Sequence, residues 1–208
     1  MSTTIKLRSQ PLSNLSFEGV KSILEQKGLF DRSQNELGKG VRHQYEAVES
    51  SGRTFIIDQA TGLMWQRDGS SSDLAPEAAR QYVRDMNAQM LGGYNNWRLP
   101  TLEEAMSLLE TAPKNDLTPD SSWGSLYIDP LFSDATIRYI WTADTNPNGS
   151  GWYVCFPDGY CMSDDTPGGT NRVRVVRQTA SPTPMQSEPP QWTKAEEKKG
   201  FFRSLFGG

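Results

Sequence analysis

Residues 92–110 read GGYNNWRLPTLEEAMSLLE, and the fold reading turns on this stretch. The glycine pair Gly92 and Gly93 punctuates the chain and ends the periodic segment before it. Thr101 and Glu104 form T-x-x-E, a capping box in which side chain and backbone satisfy each other's first-turn groups at a helix start. Ala105, Leu108 and Leu109 then give that helix a buried stripe. The WRLP run between the glycines and the cap is therefore a fixed turn that aims a helix.

Immediately upstream, PEAARQYVRDMNAQM places Ala79, Tyr82, Val83, Met86 and Met90 at helical spacing, with Pro76 suited to the first turn. RTFIID reads as a short strand, Gln59 to Gly62 as a turn, and LMWQ as a second strand. Further back, residues 1–50 read as a leader with one helix over 17–27. Ser16 caps it, Leu15, Val20, Ile23 and Leu24 share a face, and Gly28 takes the left-handed position beyond the end, with Leu29 set to touch Leu24. Downstream of the capped helix the chain is β-rich: RYIWTAD, GWYVCF, YCMSDD and NRVRVVRQ, separated by turn formers. Helices early and antiparallel strands late make the fold class α+β.

FPDGY, residues 156–160, predicts a three-residue hairpin loop, a type I turn followed by a left-handed glycine. With Phe156 paired to Tyr160, Cys155 faces Cys161 across the strands, at the short end of disulfide geometry. Three readings stand: two packed thiols, a candidate disulfide between Cys155 and Cys161, or a catalytic pair. The last needs an accessible low-pKa thiolate, for which a hairpin supplies no cause.

Composition removes several functions. The 208 residues carry a net charge of −4 and no basic stripe, so nucleic acid is not an expected partner. One histidine, His43, and two cysteines are too few for zinc sites built from repeated Cys and His ligands. No apolar run reaches membrane-spanning length and the N-terminus lacks a signal-peptide core. The expectation is therefore cytoplasmic residence, with a peripheral membrane position or a non-Sec export route as alternatives. DTNPNG, residues 144–149, matches the first half of a calcium loop, but Cys155 stands where the bidentate Glu belongs, so no metal is assigned and calcium stays an alternative. Trp65 and Trp97 read as core aromatics and Arg98 as a structural hydrogen-bonding hub. Arg174 and Arg177, alternating with valines, are expected on the solvent or edge side of the last strand.

SPTPMQSEPP reads as a tether, giving a Pro/Ser-rich linker over 179–191. Residues 192–208 follow, with Lys194, Lys198, Lys199 and Arg203 against Glu196 and Glu197. Trp192, Phe201, Phe202, Leu205 and Phe206 concentrate apolar bulk there. A basic-aromatic tail of this kind suits docking to a protein groove or an anionic membrane surface, the alternative being that it packs back on its own domain.

TGLMWQ, the PEAARQY helix, GGYNNWRLPTLEEAMSLLE, YIWTAD, GWYVCFPDGYC and the closing VRVVR together resemble the DUF1566 family, the C-terminal domain of Legionella collagen-like adhesins. The resemblance spans roughly residues 53–177 and assigns a domain over 51–178. It implies a C-type-lectin-like fold with two helices and a twisted antiparallel sheet, related in shape to formylglycine-generating enzymes. It also implies a non-enzymatic module binding a polysaccharide or protein through loops between the late strands. Those loops hold Asp144, Asn146, Asn148, Trp152 and Tyr153, then Tyr160, Asp164, Asp165 and Asn171. Rings with Asn and Asp suit sugars and protein contacts alike, and are also ordinary turn residues. The alternatives are a protein-interaction or effector accessory module without a glycan ligand and, more remotely, a cysteine-dependent oxidase. The chain departs from the adhesins in lacking a collagen-like region.

Overall fold

The computed structural model describes residues 5–116, 124–132, 137–163, 169–180 and 193–194. In chain order its elements are α1 (Phe17–Lys27), β1 (Tyr45–Ser50), β2 (Arg53–Asp58), β3 (Leu63–Gln66), α2 (Pro76–Ala88) and α3 (Leu102–Ser107). There follow β4 (Asn115–Asp116), β5 (Ser125–Leu126), β6 (Tyr139–Thr145), β7 (Gly151–Cys155), β8 (Tyr160–Ser163), β9 (Val176–Gln178) and β10 (Thr193–Lys194). The strands form a sheet of order β10-β1-β2-β3-β9, a second of order β6-β7-β8 and a short β4-β5 ladder, all antiparallel. The class is α+β.

Local chemistry sets the helix ends. The Ser16 hydroxyl accepts from Gly19 N, and Gly28, at φ +64°, lets Leu29 N return to Leu24 O at 3.0 Å. At α3 both halves of the capping box are made, Thr101 N to Glu104 Oε2 at 2.9 Å and Glu104 N to Thr101 Oγ1 at 3.2 Å.

The five-stranded sheet is buried on both faces, which is why LMWQ shows no polar alternation: all four of its residues are buried. Ile56, Leu63 and Trp65 point to a core shared with α1 and α3, while Phe55 and Met64 point to a second core with Ala79 and Met86 of α2. The described part of the segment expected as an appendage, residues 5–50, belongs to this same body. Leu7, Leu15, Val20, Leu24 and Phe30 pack in one cluster with Trp65 and Phe156, and β1 is a strand of the main sheet. Trp65 and Trp97 are both buried, and the Trp97 indole donates to Leu91 O at 2.8 Å.

Two expectations are overturned. The cysteines do not face each other: Cys155 pairs with Tyr160 and Cys161 with Val154, so the two thiols sit on opposite faces of the sheet, free and buried. The cause is Phe156. Its side chain is fully buried, its N–H goes to Arg138 O and its carbonyl accepts Tyr127 N, each at 2.9 Å, so it leaves the hairpin and the loop lengthens to four residues. A one-residue slip moves every side chain to the other face. Arg174 and Arg177 are likewise not on the solvent side, being 1% and 2% exposed. Arg174 lies over the Phe132 ring at 4.8 Å and donates to Arg67 O, while Arg177 lies over Tyr94 at 3.6 Å and donates to Asn96 Oδ1. Stacking on ring faces and donating to neutral oxygens compensates these guanidinium groups in part for the water lost on burial.

Candidate ligand-binding cleft

The WRLPT turn is the crossroads from which the site is built. Asn87 at the end of α2 clamps Trp97, accepting its N–H at 2.7 Å and donating to its carbonyl at 2.8 Å. Arg98 binds Glu104 with a two-pronged fork, both contacts 2.6 Å, so the acid that caps α3 also fixes the turn before it. Pro100 O accepts Ala143 N at 2.7 Å, tying the turn to β6.

β6 is bulged at this point. Its register against β7 runs regularly to Trp141 and resumes only at Thr145 opposite Gly151, leaving Thr142, Ala143 and Asp144 against a single residue of β7. Such bulges re-aim side chains. Here the bulge turns the fully buried Asp144 toward the start of α3 and the N-terminal segment. Its carboxylate accepts Leu102 N and Leu12 N and binds the Arg8 guanidinium through both oxygens, at 2.7 and 3.1 Å. Residues 8–15 are fastened here as a strap. Arg8 N donates to Glu103 Oε1, Thr101 Oγ1 donates to Arg8 O, and Thr145 exchanges backbone bonds with Leu12 and Leu15.

Between these parts opens a cleft of about 630 Å3. Trp141 and the β6 bulge form its floor; Ala79, Arg80, Val83 and Arg84 of α2 form one wall. Ser9 and Pro11 of the strap and the turn Gly149–Gly151 complete the rim, with Arg98 and Leu99 between. Arg80 and Arg84 project from adjacent turns of α2, more than half exposed, and share the single carboxylate of Glu77 at 2.8 and 3.1 Å.

The expected ligand residues do not converge on this cleft. Asp144 lines it, but with its carboxylate committed as above. Trp152, expected on the display face, is fully buried: its indole donates to Leu15 O and its ring meets the edge of Phe17 at 4.8 Å. Asn146 is buried and its Oδ1 holds the turn, accepting Asn148 N and Ser150 N at 2.9 Å, while Asn148 is exposed. Two of the three oxygen positions of the half calcium loop, Asp144 and Asn146, thus hold groups of the protein itself. Tyr153 packs edge-on against Trp141 and Tyr139, and Tyr160 is half-buried beside it on the hairpin. Asn171 is buried and pairs through its backbone with Leu74. Asp164 and Asp165 lie outside the described residues, as do Trp192, Phe201, Phe202, Leu205 and Phe206 of the tail.

Neither thiol lines this cleft. Burial, reinforced by the Asp158 carboxylate 3.1 Å away, pushes Cys155 up to about 12, and burial beside Asp31 holds Cys161 well above the ordinary thiol range. Among the described residues no group of three or more His, Cys, Asp or Glu could hold a metal ion, and no helix is long and apolar enough to cross a membrane. The residues missed from sequence are Arg8, Arg80, Val83 and Arg84. For Arg80 and Arg84 their spacing on the exposed side of the helix was the available signal, Val83 having been read only as part of its apolar face; for Arg8, 136 positions from Asp144, there was none.

No curated protein and no solved structure matches the chain. The model of the Lcl C-terminal domain matches residues 54–177, more than half of the sequence and including the WRLPT turn, α2 and the β6 bulge. The chain therefore belongs to the Lcl C-terminal domain family.

Proposed function

We propose that the protein is a non-enzymatic recognition module that holds a polysaccharide or protein ligand in the cleft between α2, the β6 bulge and the N-terminal strap. The cleft carries this reading. Its volume of about 630 Å3 lies within the range of ligand pockets, about 300–1,000 Å3. It is lined from five separated stretches of chain, and the bulge and the turn beside it are held by charge pairs whose carboxylates are buried. The non-enzymatic part rests on the chemistry of the lining: no thiol reaches it, and its carboxylate, Asp144, is spent on Arg8 and two backbone amides. No cofactor enters this reading. Two helices against twisted antiparallel strands, together with the family resemblance, support a C-type-lectin-like arrangement. The basic-aromatic residues 192–208 act in this reading as a second docking element for a protein or membrane surface.

The test is amide chemical-shift mapping of the full chain, titrated separately with a heparin decasaccharide, unsulfated dextran and an acidic peptide. Shifts gathered on residues 79–84, 141–145 and 149–151 are expected for at least one probe, and Val83→Trp, which fills the cleft, should remove them. Shifts confined to the 153–163 hairpin or to 192–208 would refute the cleft as the site.

A further inference from the structure

Resting on the cleft as the ligand site, the geometry points to its occupant: we infer that it takes an acidic, aliphatic peptide segment of a protein partner rather than a sugar chain. The first observation concerns rings. Sugar sites commonly present an aromatic face, whereas Trp141, the one aromatic residue lining this cleft among the described residues, is 3% exposed. Its indole N–H is spent on Leu74 O at 2.6 Å, and Gly151 lies against its ring so closely that a Cβ there would come within 3.0 Å of it. Tyr153 and Tyr160 sit on the hairpin and do not line the cleft. What the cleft offers is aliphatic: Val83, Leu99 and Pro11.

The second observation is charge. Arg80 and Arg84, side chains 57% and 56% exposed, share one carboxylate, so the α2 wall carries an excess positive charge in an otherwise acidic protein. Exposed pairs of this kind contribute little, because water screens them and holding two long side chains together costs entropy, so an incoming carboxylate competes with Glu77 on nearly equal terms. Arg98, by contrast, is tied to the buried Glu104 and stays a fixed part of the wall. Charge also excludes the chain's own tail, which is basic in excess and would meet like charge on α2.

The decisive experiment measures fluorescence anisotropy of the full chain with a fluorescein-labelled heptapeptide alternating Asp or Glu with Leu or Val. Two controls accompany it, the same peptide with Lys for the acids and one with Ser for the aliphatics, and unlabelled heparin decasaccharide serves as competitor. Binding of the acidic-aliphatic peptide alone is expected. It should weaken at least tenfold in Arg80→Gln/Arg84→Gln and in Val83→Trp, and strengthen several-fold in Glu77→Gln, which removes the counter-charge the two guanidinium groups share while Arg84 keeps its bonds to Gln81. A gain of affinity separates this from a merely structural effect, and thermal melts of the exposed α2 variants should match wild type. If heparin instead binds in a manner abolished by Val83→Trp while the peptide is silent, the peptide assignment is overturned and the cleft stands. If no probe responds to Val83→Trp, both fall. Equal binding of the Ser-containing control would overturn the aliphatic part.

Discussion

Asp144→Asn tests the fastening on which the cleft depends, and its cost can be worked from the contacts. Each carboxylate oxygen accepts two bonds: Oδ1 from Arg8 Nη1 and Leu12 N, Oδ2 from Arg8 Nη2 and Leu102 N. An amide of the same shape keeps one oxygen and turns an NH2 group toward two donors. Each donor left unsatisfied costs about 1–3 kcal/mol. The substitution also strips the counter-ion from Arg8, and breaking a buried ion pair costs about 3–5 kcal/mol. The Arg8 side chain is 19% exposed, so water compensates in part, and the two figures count overlapping bonds. The expected loss is therefore near the bottom of the ion-pair range, about 3 kcal/mol. At about 2–4 °C per kcal/mol for a chain of this size, Tm should fall by about 6–12 °C. Thermal and urea melts measure it, and a double-mutant cycle with Arg8→Met should show that the second substitution adds little once the first is made. Limited proteolysis of the same variants should cut first within residues 8–15. A loss under about 1 kcal/mol, or strict additivity with Arg8→Met, would refute the strap as an element clasped by Asp144.

Acid should unfold the protein partly through Asp58. Burial raises its pKa, but the hydrogen bond and charge of His43, the Thr61 hydroxyl and the Gln44 amide more than offset this, and the net pKa is lowered. Its contribution is thus complete above the unfolded carboxylate value of about 3.9 and is lost as pH falls through the lower folded value. Asp58→Asn should flatten the acid limb of the stability curve; an unchanged limb would remove Asp58 from the account. Because both thiols are buried with raised pKa, neither Cys155 nor Cys161 should react with iodoacetamide at pH 8 until denaturant is added. Rapid alkylation of the native protein, or a linked peptide pair in non-reducing mass mapping, would contradict the register that separates them. Gly92→Ala should destabilise by about 2–4 kcal/mol in a urea melt, since φ is +62° and the new Cβ would lie 2.7 Å from the Phe55 ring. Trp152→Ala should cost about 3–5 kcal/mol as a core truncation, whereas a stable variant that lost only ligand would restore Trp152 to the display face.

The features legible in the chain alone are local ones. Ser16, Gly28, Thr101 and Glu104 act on backbone groups within four residues of themselves, so their spacing alone locates the helix ends. Trp65 and Trp97 sit where an apolar run or a turn into a helix leaves a large ring no place but the core. The candidate site fared worse. Asp144, Asn146 and Trp152 have the composition of a ligand face, but the choice between holding a turn, filling a core and meeting a ligand depends on partners far away in sequence. Leu15 takes the Trp152 indole across 137 positions, and nothing near residue 152 announces it.

By itself, then, the sequence determined the α+β class, the cap positions and the WRLPT turn, because those follow from interactions within a few residues. Tertiary structure alone decided the hairpin register, the burial of Arg174 and Arg177 and the location of the cleft. Phe156 chose the core over its strand pair, guanidinium groups found rings to stack on, and a bulge in β6 carried Asp144 to Arg8. Each is a contact between distant segments whose free energy outweighs a local preference worth about 1 kcal/mol or less, and so no window of sequence contains it.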